Sequence, residues 1–191
     1  MIEKIFVSEI RVRLLKELLL SKENDIHVRE LTRRVKTEVN AVRRELDNLE
    51  SIKLVSRVPR GNKVFYAINR DHVLFPELLG LIAKEYGIGK KLLNSYKSLG
   101  AVKFLSLRKA FVNGVRSQNK EIDVLIVGNI DIEKAEKLIA NEEEKYNTEI
   151  NFTVLDFEEL QQRKEKKDPF IMNILLAPKF MLVGLEEDLV K

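Results

Sequence analysis

The segments LVSRV and KVFYAI alternate apolar with polar residues on either side of Pro59-Arg60-Gly61-Asn62, and period-two alternation broken by such a turn cluster marks a β-hairpin with one buried face. What precedes it follows a different period. From Ser8 to Leu20 apolar residues recur at Ile10, Leu14 and Leu18, joined by Leu15 and Leu19, the spacing of a core-facing helix. Lys22 to Asp25 end it. Ile26 to Val28 reads as a short extended entry to a second helix that runs to Val35, and Lys36-Thr37 as a turn. A third helix, Glu38 to Ser51, sets Val39, Val42, Leu46 and Leu49 on one stripe, with Thr37 as its N-cap. Its opposite face carries Thr37, Asn40, Ala41 and Arg44, with Arg43 on the flank.

Charge follows the same division. Residues 1–70 hold 16 Lys and Arg against 10 Asp and Glu, and the rest of the chain 18 against 20, so the formal net charge of +4 belongs to the N-terminal part. A local positive excess suits a polyanionic partner. A merely solvated basic face is the plainer alternative.

Three helices followed by a basic hairpin, with TEVNAVRRELDNLESIKLVSRVPRGNKVFYAI at their centre, resemble the winged helix-turn-helix of ArsR-like bacterial and archaeal regulators over residues 8–70. In such modules the second helix of the pair enters the major groove with its N-terminal residues toward base edges. The resemblance therefore implies double-stranded DNA as partner. Asn40 would pair with adenine, Arg43 or Arg44 would read guanine or anchor phosphate, and Thr37 would share their face. Arg60 and Lys63 on the wing would meet backbone phosphate or the minor groove. Many winged helices dock on proteins instead, so that partner stays open. Since one short helix reads few bases, a homodimer is expected.

After the hairpin, INRDHVLFPEL leads into a helix in which Pro76 sits in the first turn and Leu78, Leu79, Leu81 and Ile82 form a stripe. Gly87 and Gly89 are expected to break it before a second helical piece, Lys90 to Leu99. Residues 71–99 thus read as a helical connector. Its leucines serve either packing within the chain or an interface between two copies.

The remainder, residues 100–191, reads as a small α/β domain with a mixed sheet. Val124 to Val127 is an apolar strand, DIEKAEKLIANEEEKY a helix with Ile132, Ala135, Leu138 and Ile139 at helical spacing, and EINFTVL another strand. FEELQQRKEKK is a charged helix; a further helix starts at Pro169, and a final strand lies near Phe180 to Val183. Within this part FLSLRKAFVNGVRSQNKEIDVLIVG, residues 104–128, resembles the core of a nucleotidyltransferase of the DNA-polymerase-β-like superfamily. Nearly the whole chain resembles proteins joining a winged helix to a minimal domain of that kind.

The resemblance implies an acid-x-acid pair holding Mg²⁺, which falls on Glu121 and Asp123, and a glycine after the nucleotide-holding turn, which falls on Gly114. The Gly-Ser pair that would hold the triphosphate is replaced by Lys109 and Ala110, and a third acid by Asn151. Mg²⁺ takes hard oxygen ligands, and two-metal phosphoryl transfer needs acids that clamp both ions. Glu121 and Asp123 are left as vestigial metal candidates, Lys109 and Gly114 as nucleotide-binding candidates, and no catalytic residue is assigned. Glu121 and Asp123 are also what the solvated face of an alternating strand would show.

The expected fold is α+β in two domains, a winged helix-turn-helix followed by the nucleotidyltransferase-like domain. Its expected function is a DNA-binding transcriptional regulator whose second domain serves assembly or ligand sensing and requires no cofactor. The alternative is a Mg²⁺-dependent nucleotidyltransferase that modifies a protein or RNA partner, as an antitoxin does. No Cys is present, which excludes disulfides, thiolate metal sites and a Cys nucleophile. The only histidines, His27 and His72, are too far apart in sequence to suggest zinc. The amphipathic start MIEKIFVSEIRVRLLKELLL is neither a secretory core nor a membrane span, so a soluble, cytoplasmic protein is expected.

Overall fold

A computed structural model describes residues 4–115, 117–118 and 121–191. The chain separates into two compact units between Tyr86 and Gly87.

In the first unit, α1 (Glu9–Leu19) starts at Ser8, whose hydroxyl accepts the Arg11 N–H at 3.2 Å. That cap satisfies one of the amides a helix leaves open. The chain then runs through β1 (Ile26–His27), α2 (Val28–Val35), α3 (Val39–Ser51) and the hairpin strands β2 (Val55–Arg60) and β3 (Lys63–Ile68). All pairs in this sheet are antiparallel, in the order β1-β3-β2. Helix-strand-helix-helix-strand-strand with the first strand beside the last is the winged-helix topology. Leu14, Leu31, Val42, Leu46 and Tyr66 are buried at its centre.

The connection between α2 and α3 is one residue longer than the sequence suggests. Lys36 caps α2 in the left-handed conformation, φ 56° and ψ 53°. Thr37 remains in the connection, and the extended residue before α3 is Glu38, with no side-chain cap bond. Thr37 is therefore not the N-cap. The hairpin is longer than expected, because β2 continues through Pro59 to Arg60 and only Gly61-Asn62 remain as loop. Pro59 is tolerated because β2 is an edge strand, and Gly61 supplies the positive φ, 59°, that a two-residue hairpin loop requires.

Residues 71–99 do not form a separate connector. In α4 (Phe75–Glu85), Phe75, Leu79, Ile82 and Ala83 are buried and the helix packs on α1. Before it, the His72 ring bridges the Ile52 carbonyl, 3.0 Å from Nε2, and the Leu74 N–H, which donates to Nδ1 at 3.1 Å. The second unit begins with α5 (Gly87–Leu99). Only Gly87, at φ 62°, punctuates the chain; Gly89 lies inside the helix and is buried. Of the stripe that could serve packing within the chain or pairing of two copies, Leu79 and Ile82 are buried within the first unit, Leu78 is half-buried and Leu81 is exposed.

The second unit continues through β4 (Gly100–Arg108), α6 (Lys109–Val112), β5 (Val124–Ile130), α7 (Ile132–Tyr146), β6 (Phe152–Leu155), α8 (Phe157–Glu165), α9 (Pro169–Leu176), β7 (Lys179–Val183) and α10 (Glu186–Val190). Asp131, Asp156 and Asp168 cap α7, α8 and α9 by accepting backbone amides. The sheet order is β6-β5-β4-β7, with β5 and β6 parallel and the other pairs antiparallel, so the sheet is mixed as expected. Leu105, Leu107, Val124 and Ile126 face a core shared with Leu92 and Leu99 of α5 and Leu138 and Ile139 of α7. Phe104, Leu125 and Val127 face the other side, where Leu160, Ile171, Leu175 and Leu189 close it.

Gly128 sits at φ 149°, where a Cβ would stand 2.2 Å from the Ala101 carbonyl oxygen of β4. We expect Gly128→Ala to cost at least about 1–3 kcal/mol, from backbone strain plus displacement of β4. Gly61→Ala meets no neighbouring atom and should cost less. Urea unfolding of the two variants checks the order; equal losses would contradict it.

Candidate nucleic-acid interface and the acid cluster

Burial of Val42, Leu46 and Leu49 turns the opposite face of α3 outward, and Asn40, Arg43 and Arg44 are exposed there. Ala41 and Thr37 are half-buried at the edge of that face. The helix is fastened from behind by Glu45, which the Arg11 guanidinium of α1 meets at 2.9 Å. Burial pushes the Glu45 carboxyl up, but hydrogen bonds from the Ser8 hydroxyl and Arg11 outweigh it and hold the pKa below the usual value.

Cations in this unit fall into two groups. Most of those on α1 and α2 are paired, Arg13 with Glu9 at 2.7 Å, Arg33 with Glu30 at 2.7 Å, and Arg34 with Glu30 at 2.7 Å and Glu23 at 2.6 Å, while Arg29 of α2 is exposed without a carboxylate partner among the described residues. Among the described residues Arg43, Arg44, Arg57 and Lys63 have no carboxylate partner. Uncompensated charge thus stands on α3 and the hairpin, and also at Arg29 of α2, Lys36 and Lys53.

The two wing residues differ. Lys63 is exposed and unpaired, whereas Arg60 forms an ion pair with Asp25 and lies 4.8 Å above the Phe65 ring. The His27 ring packs on the same phenylalanine at 5.2 Å. Arg60 is therefore braced against the body of the unit, and only Lys63 projects without a partner. At the base of the hairpin an open cleft of about 650 Å³ is lined by Lys53, Arg57 and Arg70 but also by Glu50 and Asp71, and so presents both signs of charge.

In the second unit the strand register gathers a polar row at one end of the sheet. Arg108 pairs with Lys179 of β7, its N–H donates to the Asp123 carbonyl at 2.8 Å, and the Asp123 N–H donates to the Asn151 carbonyl at 2.7 Å. Lys179 is neutralised locally by Glu186 at 3.1 Å and the Leu175 carbonyl at 2.7 Å. Asp123 and Arg108 are buried, at 1% and 9% exposure. The guanidinium reaches Asp123 Oδ1 through Nε at 3.1 Å, Ser117 Oγ through Nη2 at 2.8 Å and Glu121 Oε2 through Nη1 at 3.1 Å. The Ser117 hydroxyl donates to Asp123 Oδ1, and Oδ2 accepts the Asn151 N–H at 3.2 Å.

Both metal candidates, Glu121 and Asp123, are thus held by one arginine. Divalent magnesium does not fit this arrangement, because each acid already turns an oxygen to the guanidinium and Asp123 has both oxygens in use. Among the described residues no group of three or more acids or histidines could hold a metal. Of the nucleotide candidates, the backbone amides are engaged. The Lys109 N–H donates to the Pro178 carbonyl at 2.8 Å and the Gly114 N–H to Phe111 at 2.9 Å, while α6 is only four residues long. Neither amide is free to cradle a phosphate, and Asn151 joins the cluster through its backbone. Arg108 and Ser117 are the residues that sequence reasoning missed. Their one signal is an arginine ending an apolar run, which gains meaning only once β4 is placed beside β5.

No protein-family model and no curated protein matches the chain. Among solved structures it is similar to reduced HlyU from Vibrio cholerae, with 25% identity over 44% of this chain and 84% of that one and a TM-score of 0.36. For NolR from Sinorhizobium fredii the figures are 24%, 42%, 75% and 0.35, and for apo MarR from E. coli 16%, 51%, 79% and 0.34. At TM-scores this low the winged-helix assignment stands on the element order and sheet register of the first unit. Among the described residues no helix is long and apolar enough to cross a membrane.

The ion pairs of Arg33 and Arg34 on α2 titrate. Hydrogen bonds from Arg33, then Arg34, lower the Glu30 pKa from 4.5 to about 2. Its stabilising contribution is present above the unfolded value of 4.5 and is lost as pH falls from there through about 2. Because the group lies at the surface, salt should weaken the effect. Side-chain NMR titration should place the Glu30 midpoint well below those of free glutamates; an ordinary midpoint would show that Arg33 and Arg34 are not held.

Proposed function

We propose that this chain is a sequence-specific double-stranded DNA-binding protein acting as a transcriptional regulator, with the first unit as its reader. One observation carries the reading: among the cations without a carboxylate partner, Arg43 and Arg44 stand together on the exposed face of α3, and Arg57 and Lys63 on the hairpin of the same unit. A polyanion would compensate them, and α3 presents Asn40, Arg43 and Arg44, the side-chain types that pair with adenine and guanine edges in a major groove. Lys63 on the wing is suited to backbone phosphate. Arg60 joins it there only by leaving Asp25.

The functional unit in this reading is a homodimer, because two-fold symmetry doubles the bases read. The second unit is a nucleotidyltransferase-like domain used for assembly or ligand sensing. The engagement of Glu121 and Asp123 by Arg108 favours that over group transfer.

Affinity for duplex DNA should fall steeply with salt as counterions are released. Arg44→Ala should cost about 1–3 kcal/mol, concentrated at one base position if the residue reads a base. Lys63→Ala should weaken all sequences alike and reduce the salt slope by about 1. Electrophoretic shifts with genomic fragments over a salt series check both. No salt-dependent affinity, or none lost in either variant, would remove the DNA reading. Light scattering with and without the bound fragment checks the dimer, and a monomer in both would reject it.

A further inference from the structure

We infer that the Arg108 guanidinium is the resident cation of the acid cluster and stands in for the divalent ion that the likeness of residues 104–128 to nucleotidyltransferases would place between Glu121 and Asp123. The cluster is a cation site that the chain has filled with its own side chain.

The geometry supports this in three ways. First, three oxygens converge on one planar group: Asp123 Oδ1 at 3.1 Å, Glu121 Oε2 at 3.1 Å and Ser117 Oγ at 2.8 Å. Two carboxylates and a hydroxyl are hard oxygen donors of the kind divalent magnesium or calcium selects. Second, among the described residues no other cation forms an ion pair with Glu121 or Asp123. Lys179, the next basic residue along the row, is turned to Glu186 and the Leu175 carbonyl. Third, the Asp123 side chain is fully buried, and a buried carboxylate needs a positive partner as well as hydrogen bonds. The guanidinium supplies that partner with fixed planar geometry, and without the bound waters that magnesium usually keeps.

Arg108 also connects segments. Its Nη1 and Nη2 reach Glu121 and Ser117, both outside the strands, while its backbone belongs to the end of β4. A merely structural arginine and a substitute cation both predict that removing it destabilises the unit. They differ in what restores the loss. A structural contact is not replaced by a metal ion, whereas an emptied site lined by two carboxylates and a hydroxyl takes one up.

The experiment is thermal unfolding of the full chain and its variants in EDTA and in Mg²⁺, Mn²⁺ or Ca²⁺. The parent chain should show the same Tm in all four conditions. Arg108→Ala should unfold several degrees lower in EDTA and recover at least half of that loss, saturably, with at least one of the ions. The double variant Arg108→Ala/Asp123→Asn should recover none. The inference is overturned if divalent ions raise the Tm of the parent chain in an Asp123-dependent way, since metal and guanidinium would then share the cluster. It is equally overturned if Arg108→Ala folds and its Tm ignores every ion. Should Arg108→Ala fail to fold in EDTA, refolding in the presence of the ions decides: recovery supports the inference, and failure with all three ions, while Arg108→Lys folds without them, counts against it.

Discussion

Burial of one apolar row fixes what α3 can do. With Val42, Leu46 and Leu49 enclosed by neighbouring elements, the helix cannot rotate about its axis without exposing leucine and burying arginine, and both changes are costly. Asn40, Arg43 and Arg44 therefore face outward as a consequence of packing. The Arg11–Glu45 ion pair adds a lateral restraint by tying α1 to the inner side of the same helix. Recognition of a rigid duplex depends on such restraint, since a side chain that must find its own position loses affinity to ordering entropy.

Electrostatic pairing then decides which charges remain for a partner. Composition shows a positive excess in the first 70 residues, but the excess is not spread evenly. Glu30 takes two arginines of α2, and Asp25 takes the arginine at the wing tip. Among the described residues Arg43 and Arg44 of α3 and Arg57 and Lys63 of the hairpin are left unpaired, together with Arg29 of α2, Lys36 and Lys53.

The second unit applies the opposite device. There Arg108, at the end of β4, is buried between the buried Asp123 and the partly exposed Glu121, so this cation is paired within the unit. A row of polar groups at the end of a sheet resembles a catalytic row in sequence. In three dimensions its members answer one another, and the fold keeps them as an internal fastening.

The sequence by itself determined the periods, hence the element types. The three amphipathic helices, the hairpin around Gly61-Asn62 and the strands around Val124 and Phe152 were all legible, because a single buried face or a short apolar run writes itself into residue spacing. Strand β4 was not, since Phe104 faces one core and Leu105 and Leu107 the other, and a strand covered on both sides shows no alternation. The division at Tyr86 was hidden for a similar reason: α4 and α5 carry like stripes, and only packing sends them to different cores. Tertiary structure alone decided the meaning of the acids. Arg108 and Asp123 are fifteen residues apart and meet because β4 and β5 pair antiparallel in one register, a choice set by which side chains the helices on each face must cover.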